Sequence, residues 1–420
     1  MKVLILSTDD IKGGASKAAY ALHRGLLRFG VESRLLVQKK YGDDYTVLAP
    51  ERPVDKFWQQ LVIPQIETCW RRLLFPRAKI FYSPAMVSSL DFKKIEKFNP
   101  DIINLHWFNR GFISIEDLKK INRPIVWTWH DVWPFCGGEH ILTGDNIRYQ
   151  EGYQSDNRPV GESGWDSHRF IWQRKKKSYA KLPQHQIITP SRWLKNHGEK
   201  SYLFKGEKIE AIPNGLDLSI YKPLAKAACR KILNLPLDKK IILFGANNGI
   251  ANSYKGFSYL IEALGKLTNQ SFYSELALTI FGCGKPANHI TSGVPTYFLG
   301  RINNEQLLPV IYNAADLLVL PSLYDNLPNV VMESLACATP VVAFDTGGIK
   351  EMVEHQQNGY LAKYKDSADL ATGISFIFGN QDNYQQLSQR ARQKCEEEFS
   401  SELCAKRYLE IYGRILEDNR

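Results

Sequence analysis

The chain is poor in the residue patterns that mark a disulfide scaffold, a metal centre or a membrane span. Its seven cysteines are odd in number and scattered, with no Cys-X-X-Cys pair, so neither a disulfide framework nor a zinc knuckle is indicated, and reduced thiols in a cytoplasm are expected. No apolar run approaches the roughly 20 residues that cross a bilayer. Lys2 to Ser7, closed by Asp9-Asp10, is too short for a signal-peptide core. No Asp-X-Asp pair occurs, which withdraws the usual sequence support for divalent-cation chemistry at a diphosphate. Internal repeats and low-complexity tracts are missing as well.

What remains is a 420-residue chain with 44% hydrophobic residues, too long for one ordinary core and suited to two domains of about 200 residues each. Apolar strands alternate with amphipathic helices from end to end, the pattern of an α/β protein with parallel sheets covered on both sides. Expected strands are Lys2 to Ser7, Ser33 to Val37, Ile102 to Leu105, Ile125 to Trp129 and Gln186 to Thr189. A second series runs through Lys240 to Phe244, Leu276 to Phe281, Thr296 to Leu299, Leu317 to Leu320 and Val341 to Phe344. The turn-rich stretch Pro213 to Pro223, with Asn214-Gly215, reads as the linker. The expected domains are therefore 1–213 and 214–400, followed by a last helix over 401–420.

The most informative stretch is Pro321 to Val342. The continuously apolar run Leu317 to Leu320 reads as a strand buried on both faces, Pro321-Ser322 ends it, and helical spacing begins at Asn329. Asp325 then falls in the loop and Glu333 one to two turns into the helix, so that both acids are expected to face the mouth of the sheet, where open α/β folds bind ligands. A carboxylate accepts hydrogen bonds from vicinal hydroxyls, which ribose and hexose both offer, and a helix N-terminus beside it favours a diphosphate. As an isolated pair, the acids would read equally well as a helix cap and a solvated side chain.

Other stretches carry more weight when taken in order: Gly13-Gly14-Ala15 after the first strand, Thr128-Trp129-His130-Asp131, Thr189-Pro190-Ser191, Ile212-Pro213-Asn214-Gly215, Lys255-Gly256-Phe257, Phe281-Gly282-Cys283-Gly284, and Gly347-Gly348 with Glu351. With the acid, seven residues, acid spacing of Asp325 and Glu333, the chain resembles retaining glycosyltransferases of family 4 over nearly its whole length. The resemblance implies the GT-B fold, two facing Rossmann-like domains with a ligand cleft between them, the N-terminal one binding acceptor and the C-terminal one the nucleotide sugar. It implies that the last helix crosses back onto the first domain. It also implies roles: His130 on the donor hexose, Lys255 on the leaving diphosphate, Asp325 on hydroxyls of the transferred sugar and Glu333 on the ribose. Gly13 and Gly14 would approach the phosphates, and Asn326, Leu327, Pro328 and Asn329 would present backbone to the donor.

The chain departs from the family pattern in three places. Asp325 stands where Glu is usual. Asn326-Leu327-Pro328-Asn329 replaces Gly-Phe-Gly, a variant similar to that of capsule and exopolysaccharide transferases. The usual Arg before the lysine is missing from Gly245-Ala246-Asn247-Asn248, which leaves its work to Arg301 or to a residue of the N-terminal loop. Trp127 to Trp193 also resembles that branch, in which Trp-His-Asp and Gly-Gly-X-His precede a cysteine-bearing insertion, but here Cys136 and His140 are the only candidate ligands, too few for an expected metal site.

Charge is uneven: Met1 to Pro213 carries 34 Lys and Arg against 23 Asp and Glu, and Asn214 to Arg420 carries 20 against 21. A basic N-terminal domain suggests an anionic acceptor or an anionic membrane surface. Phe57 to Lys79, with Trp58, Leu61, Trp70, Leu73, Arg71, Arg72, Arg77 and Lys79, and Trp165 to Lys181, with Trp172 and Arg174 to Lys177, are candidate interfacial segments, the plainer alternatives being a core helix and a solvated face. Nucleic acid is not expected, since no recognition module accompanies the charge. The expected activity is a metal-independent, cofactor-free hexosyl transfer from a UDP-sugar, with UDP-glucose leading, to an oligosaccharide or lipid-linked acceptor in exopolysaccharide synthesis. The expected place is the cytoplasm or the inner face of the membrane. A sugar-nucleotide epimerase of similar fold and a non-catalytic nucleotide-sugar-binding scaffold stay open.

Overall fold

Two parallel sheets, each enclosed on both faces, organise the chain in the computed structural model, which describes residues 1–76, 80–142, 147–160, 162–245, 250, 252–285, 293–302, 304–379 and 381–418. The chain divides into a unit of Met1–Gly215 with Ser401–Arg420 and a unit of Leu216–Ser400.

The first unit holds seven parallel strands: β1 (Lys2–Asp9), β2 (Glu32–Lys39), β3 (Val47–Leu48), β4 (Ile102–Leu105), β5 (Ile125–Thr128), β6 (His185–Thr189) and β7 (Ile209–Ala211), in the order β3-β2-β1-β4-β5-β6-β7. The second holds six, β8 (Lys240–Gly245), β9 (Leu276–Phe281), β10 (Thr296–Gly300), β11 (Leu317–Leu320), β12 (Val341–Phe344) and β13 (Gly359–Ala362), in the order β10-β9-β8-β11-β12-β13. Strand order reverses between β1 and β4 and again between β8 and β11. These are the two switch points at which doubly wound sheets open a crevice at their carboxyl ends.

Period-two alternation builds a separate core on each face of the second sheet. Ile241, Leu243, Leu318, Leu320, Val341 and Ala343 point into one cluster. Their neighbours Ile242, Phe244, Leu317, Val319, Val342 and Phe344 point into the other. Each fully buried aliphatic side chain contributes about 1.5–3 kcal/mol, which is why such strands read as unbroken apolar runs.

In the first unit Val3 and Ile5 pack with Leu22 and Leu26 of helix Gly14–Arg28 and with Tyr408, Ile411 and Tyr412 of helix Ser401–Glu417. The two helices touch closely, since a Cβ on Gly25 would lie 2.8 Å from Ala405 Cβ. Buried hydrogen bonds fasten the last helix to the sheet: Asn104 Nδ2 donates to Tyr412 Oη at 2.7 Å, and Tyr408 Oη lies 2.9 Å from Thr128 Oγ1.

The strands expected at Ile102–Leu105, Leu276–Phe281, Leu317–Leu320 and Val341–Phe344 form with those bounds, and the others shift by at most two residues at an end. Strands β3, β7 and β13, of two to four residues, are additions too short to show a period.

The two segments expected at an interface differ. In helix Ser167–Tyr179 Trp172 is buried against Tyr153 and Tyr202, Arg174 pairs with Glu116 at 2.6 Å, and Lys175 is fully buried, donating to the carbonyls of Trp133, Cys136 and Gly137. The middle of that helix is structural, because Arg174 and Lys175 serve an acid and loop carbonyls of the same unit, while Trp165, Lys176 and Lys177 stay exposed. The stretch from Pro53 to Leu74 instead turns most of its large apolar residues outward, while Arg77 and Lys79 lie outside the described residues. Among the described residues no helix is long and apolar enough to cross a membrane.

Candidate active site

In the second unit the candidate residues gather at the β8/β11 switch point. After β8 the chain makes the turn Ser253–Lys255, and Gly256 follows at φ +67°, where a Cβ would lie 1.8 Å from the carbonyl oxygen of Pro321. Only glycine admits this approach, which ties the lysine turn to the end of β11. Leu323 N–H donates to the Tyr254 carbonyl at 2.7 Å and strengthens the tie. Lys255 Nζ consequently reaches Asp325 Oδ2 at 2.7 Å, with the two side chains 22% and 18% exposed. Gly347, at φ +58° after β12, closes on the same loop from the other side, since a Cβ there would lie 1.7 Å from the Asp325 carbonyl oxygen.

Glu333 sits differently. In helix Asn329–Ala336 it is 3% exposed, and its Oε2 accepts a hydrogen bond from Tyr312 Oη at 2.6 Å. Burial, then the Glu333 charge, hold the Tyr312 phenol protonated far above its ordinary range, and the same two causes raise Tyr221 and Cys337. Both acids were expected to face the mouth of the sheet. Asp325 is partly open, whereas Glu333 is enclosed, because helical spacing turns it toward helix Leu308–Ala314. Asn326, Leu327 and Pro328 are buried, and the Leu327 side chain belongs to the core, so that residue has only backbone to offer a ligand. Arg301 follows the outermost strand β10, with β9 between it and β8, while Ala246 to Asn248 lie outside the described residues.

In the first unit the loops after β1, β4 and β5 carry the titratable groups. Gly13, at φ +98°, precedes helix Gly14–Arg28, whose first turn has no acid to offset its positive end. His130, two residues past β5, places Nε2 2.9 Å from Nδ1 of His106, the first residue past β4. Burial pushes His130 down to about 4, against a smaller upward pull from Asp131, and pushes His106 well below its ordinary range. Both rings are therefore neutral at pH 7, one donating to the other. Asp131 accepts from Trp133 N–H at 2.9 Å and Trp107 Nε1 at 3.1 Å and lies 2.7 Å from His140 Nδ1. Burial would raise its carboxyl, yet His140 and the Trp133 N–H hold it below the ordinary range. Asp9, at the end of β1, is raised to about 6 by burial, against the opposing charge of Arg110 at 3.9 Å.

Sequence reasoning missed His106, Asp9, Arg110 and Tyr312. The available signal was position: His106 and Asp9 stand at the carboxyl ends of β4 and β1, the strands flanking the switch point.

Two doubly wound parallel-sheet units in one chain are the architecture of GT-B proteins. Residues 12–220 match the family model described as Glycosyltransferase Family 4, and residues 225–394 match that described as Glycosyl transferases group 1. The chain is thus of the GT4 type, a family 4 domain followed by a group 1 domain. It is 28% identical over 244 residues to an uncharacterized glycosyltransferase of Methanocaldococcus jannaschii, covering 55% of this chain and 60% of that one. It spans about half of the length of other curated relatives it matches. Among solved structures, sucrose-phosphate synthase from Thermosynechococcus elongatus has a TM-score of 0.70 at 18% identity, covering 99% of both chains. Anabaena HepE in complex with UDP-glucose has a TM-score of 0.63 at 16% identity, covering 99% of this chain and all of that one. At these identities the structures establish the fold.

Proposed function

We propose that this protein is a retaining hexosyltransferase that takes a hexose, glucose in the leading case, from a UDP-sugar. It passes the sugar to an oligosaccharide or lipid-linked acceptor in exopolysaccharide synthesis at the inner face of the cell membrane. The observation that carries the reading is the Lys255–Asp325 pair at the β8/β11 switch point, held by two glycines that admit no side chain. An ammonium there gains interaction as negative charge gathers on a departing diphosphate, and Asp325 takes hydroxyls of the transferred sugar. Ribose hydroxyls join Tyr312 on the Glu333 carboxylate, whose two oxygens accept about four hydrogen bonds in all. Neutral His130, oriented by His106, is assigned to the donor hexose. Gly13, Gly14 and the backbone of Asn326 to Asn329 are assigned to the phosphates and the sugar. Since the sequence contains no Asp-X-Asp pair, the cationic role at the diphosphate is given to Lys255 and not to a metal. The bound UDP-glucose of the HepE structure supports the choice of donor.

Thermal unfolding against UDP, UDP-glucose, UDP-galactose, UDP-N-acetylglucosamine and GDP-mannose tests it. A ligand at about 100 times its dissociation constant adds roughly 2.7 kcal/mol of stability. UDP-glucose is expected to stabilise wild type and to leave Glu333→Gln unmoved. Stabilisation by GDP-mannose alone would overturn the donor assignment, and none by any nucleotide sugar would overturn the reading.

A further inference from the structure

The helical stretch Pro53–Leu74 is inside out. It consists of helix Pro53–Phe57, the π-helical turn Trp58–Val62 and helix Ile63–Leu74, and the one residue in helix Ile63–Leu74 that is buried is an acid, Glu67. Its Oε2 accepts from the backbone N–H groups of Met86 and Val87 at 3.0 and 3.3 Å, and burial raises its carboxyl pKa. Gln60 Nε2 donates to the Gln38 carbonyl at 3.1 Å on the same inner side. Polar contacts, with Ile63 packed beside Gly111, therefore fasten the stretch to its unit, and most of its large apolar residues face away.

Those residues fall on one stripe. Val54, Phe57, Trp58, Leu61, Ile66 and Leu73 are each between 40% and 69% exposed, at spacings of three, one, three, five and seven. Three of them, Leu61, Ile66 and Leu73, line an open and largely apolar groove of about 650 Å³ together with Val62, Gln65, Cys69 and Trp70. A soluble protein rarely leaves such a contiguous stripe in water, because each exposed large aliphatic forgoes about 1.5–3 kcal/mol of burial. One end of the stripe is cationic, with Arg71 and Arg72, and at the other Arg52 and Lys56 stand among acids. Acids near it are Glu51, Asp55, which pairs with Arg52 at 2.8 Å, and the inward Glu67. The domain that carries it holds the whole basic excess of the chain, 34 cationic residues against 23 acidic over Met1 to Pro213.

We infer that Pro53–Leu74 is a lipid-binding element that lies in the interface of an anionic membrane. Its stripe sits among the acyl chains, and Arg52, Lys56, Arg71 and Arg72 meet the headgroups. Charge complementarity selects this occupant over a second copy of the chain: Arg71 and Arg72 and the net positive charge of the domain are matched by anionic headgroups, whereas a second copy brings the same basic domain. Trp58 and Trp70 suit the depth, since an indole has an apolar body and one polar donor. The inference deepens the membrane placement of the proposed function and uses none of its chemistry, so a test that reads lipid binding and not transfer can fail while the transferase reading stands.

The test is flotation of the full chain with 100 nm vesicles of phosphatidylcholine alone and of phosphatidylcholine with about 30% phosphatidylglycerol, in about 0.1 M salt. Wild type is expected to float with the anionic vesicles at least about 10-fold better than with the neutral ones. The double substitution Leu61→Ser and Leu73→Ser is expected to lose at least about 10-fold of that binding, and Arg71→Glu with Arg72→Glu to abolish the preference for anionic lipid. All four side chains lie on the outward stretch, and unchanged circular dichroism and unfolding temperature establish that the variants fold. Lipids brominated in their acyl chains should quench tryptophan emission in wild type more than in Trp58→Phe. Three results would each overturn the inference: no flotation with anionic vesicles, equal flotation by wild type and the Leu61/Leu73 variant, or a dimer in sedimentation that the Leu61/Leu73 substitutions dissociate.

Discussion

Lys255 Nζ and Asp325 Oδ2 stand 2.7 Å apart, joining residues 70 positions apart in sequence at the point where the second sheet reverses its strand order. The pair is partly exposed, so its contribution to stability is small, about 0–1 kcal/mol. Its importance under the proposed reaction lies in charge placed where a diphosphate would leave.

Replacing Lys255 by Ala is accordingly expected to lower kcat about 10²–10³-fold while changing the unfolding free energy by less than about 1 kcal/mol. Initial rates with UDP-glucose and denaturant unfolding of the same variant check the two halves. A large stability loss with an unchanged rate would assign the lysine a structural role instead.

Tyr312 and Glu333 form a buried charge-assisted hydrogen bond, and removing the hydroxyl leaves the carboxylate short of a donor in a dry site. Tyr312→Phe is expected to cost about 1.5–3 kcal/mol in urea unfolding. It is also expected to weaken donor binding, since the carboxylate loses the contact that orients it. Isothermal titration with UDP measures the second effect.

Gly347 and Gly256 hold the loop of the pair at positive φ with no room for a side chain. Gly347→Ala is expected to displace the Asp325 backbone, reducing transfer at least about 10-fold and stability by about 1–3 kcal/mol. By contrast Gly13→Ala meets no atom within 4 Å, and only its φ of +98° opposes it, so its structural cost is that of backbone strain alone. Unfolding and rate measurements on both variants compare the two mechanisms.

Stability should fall in mildly acid solution. His23 and His130 are each pushed by burial from 6.5 to about 4, His23 between Ser33 Oγ and Thr46 Oγ1 at 2.8 and 2.7 Å. As pH drops, the unfolded chain takes up these protons first. Stability present at pH 7 is therefore lost as pH falls from about 6.5 to about 4, and the loss levels off below that. The ceiling is on the order of 3 kcal/mol for each ring. Urea unfolding at several pH values between 7 and 4 should show this slope in wild type and a shallower one in His130→Gln. Equal slopes would remove His130 from the explanation.

Much of the fold was readable before any coordinates, and the strands β4, β9, β11 and β12 show why. Each is a run whose residues are buried on both faces, so composition alone marks it, and turn residues bound it. The acids Asp325 and Glu333 were readable for a related reason, as their loop and helix follow directly from the end of β11. The interfacial segments were legible only in part: both mix tryptophan with cations, but one buries Trp172 and Lys175 while the other exposes Trp58 and Leu61.

The amino-acid order by itself determined the alternation of strands and helices, the basic character of the first 213 residues, and the placing of candidate side chains at strand ends. These are local or summed properties, carried by periodicities of 2 and 3.6 residues and by charge counts. The tertiary structure alone decided that Glu333 is enclosed by Tyr312, that His130 leans on His106 and that Asp325 holds Lys255. It alone decided that Glu67 turns inward and leaves an apolar stripe outside. Each of these rests on contacts between residues 19 or more positions apart, and only the packing of one element on another brings such partners together.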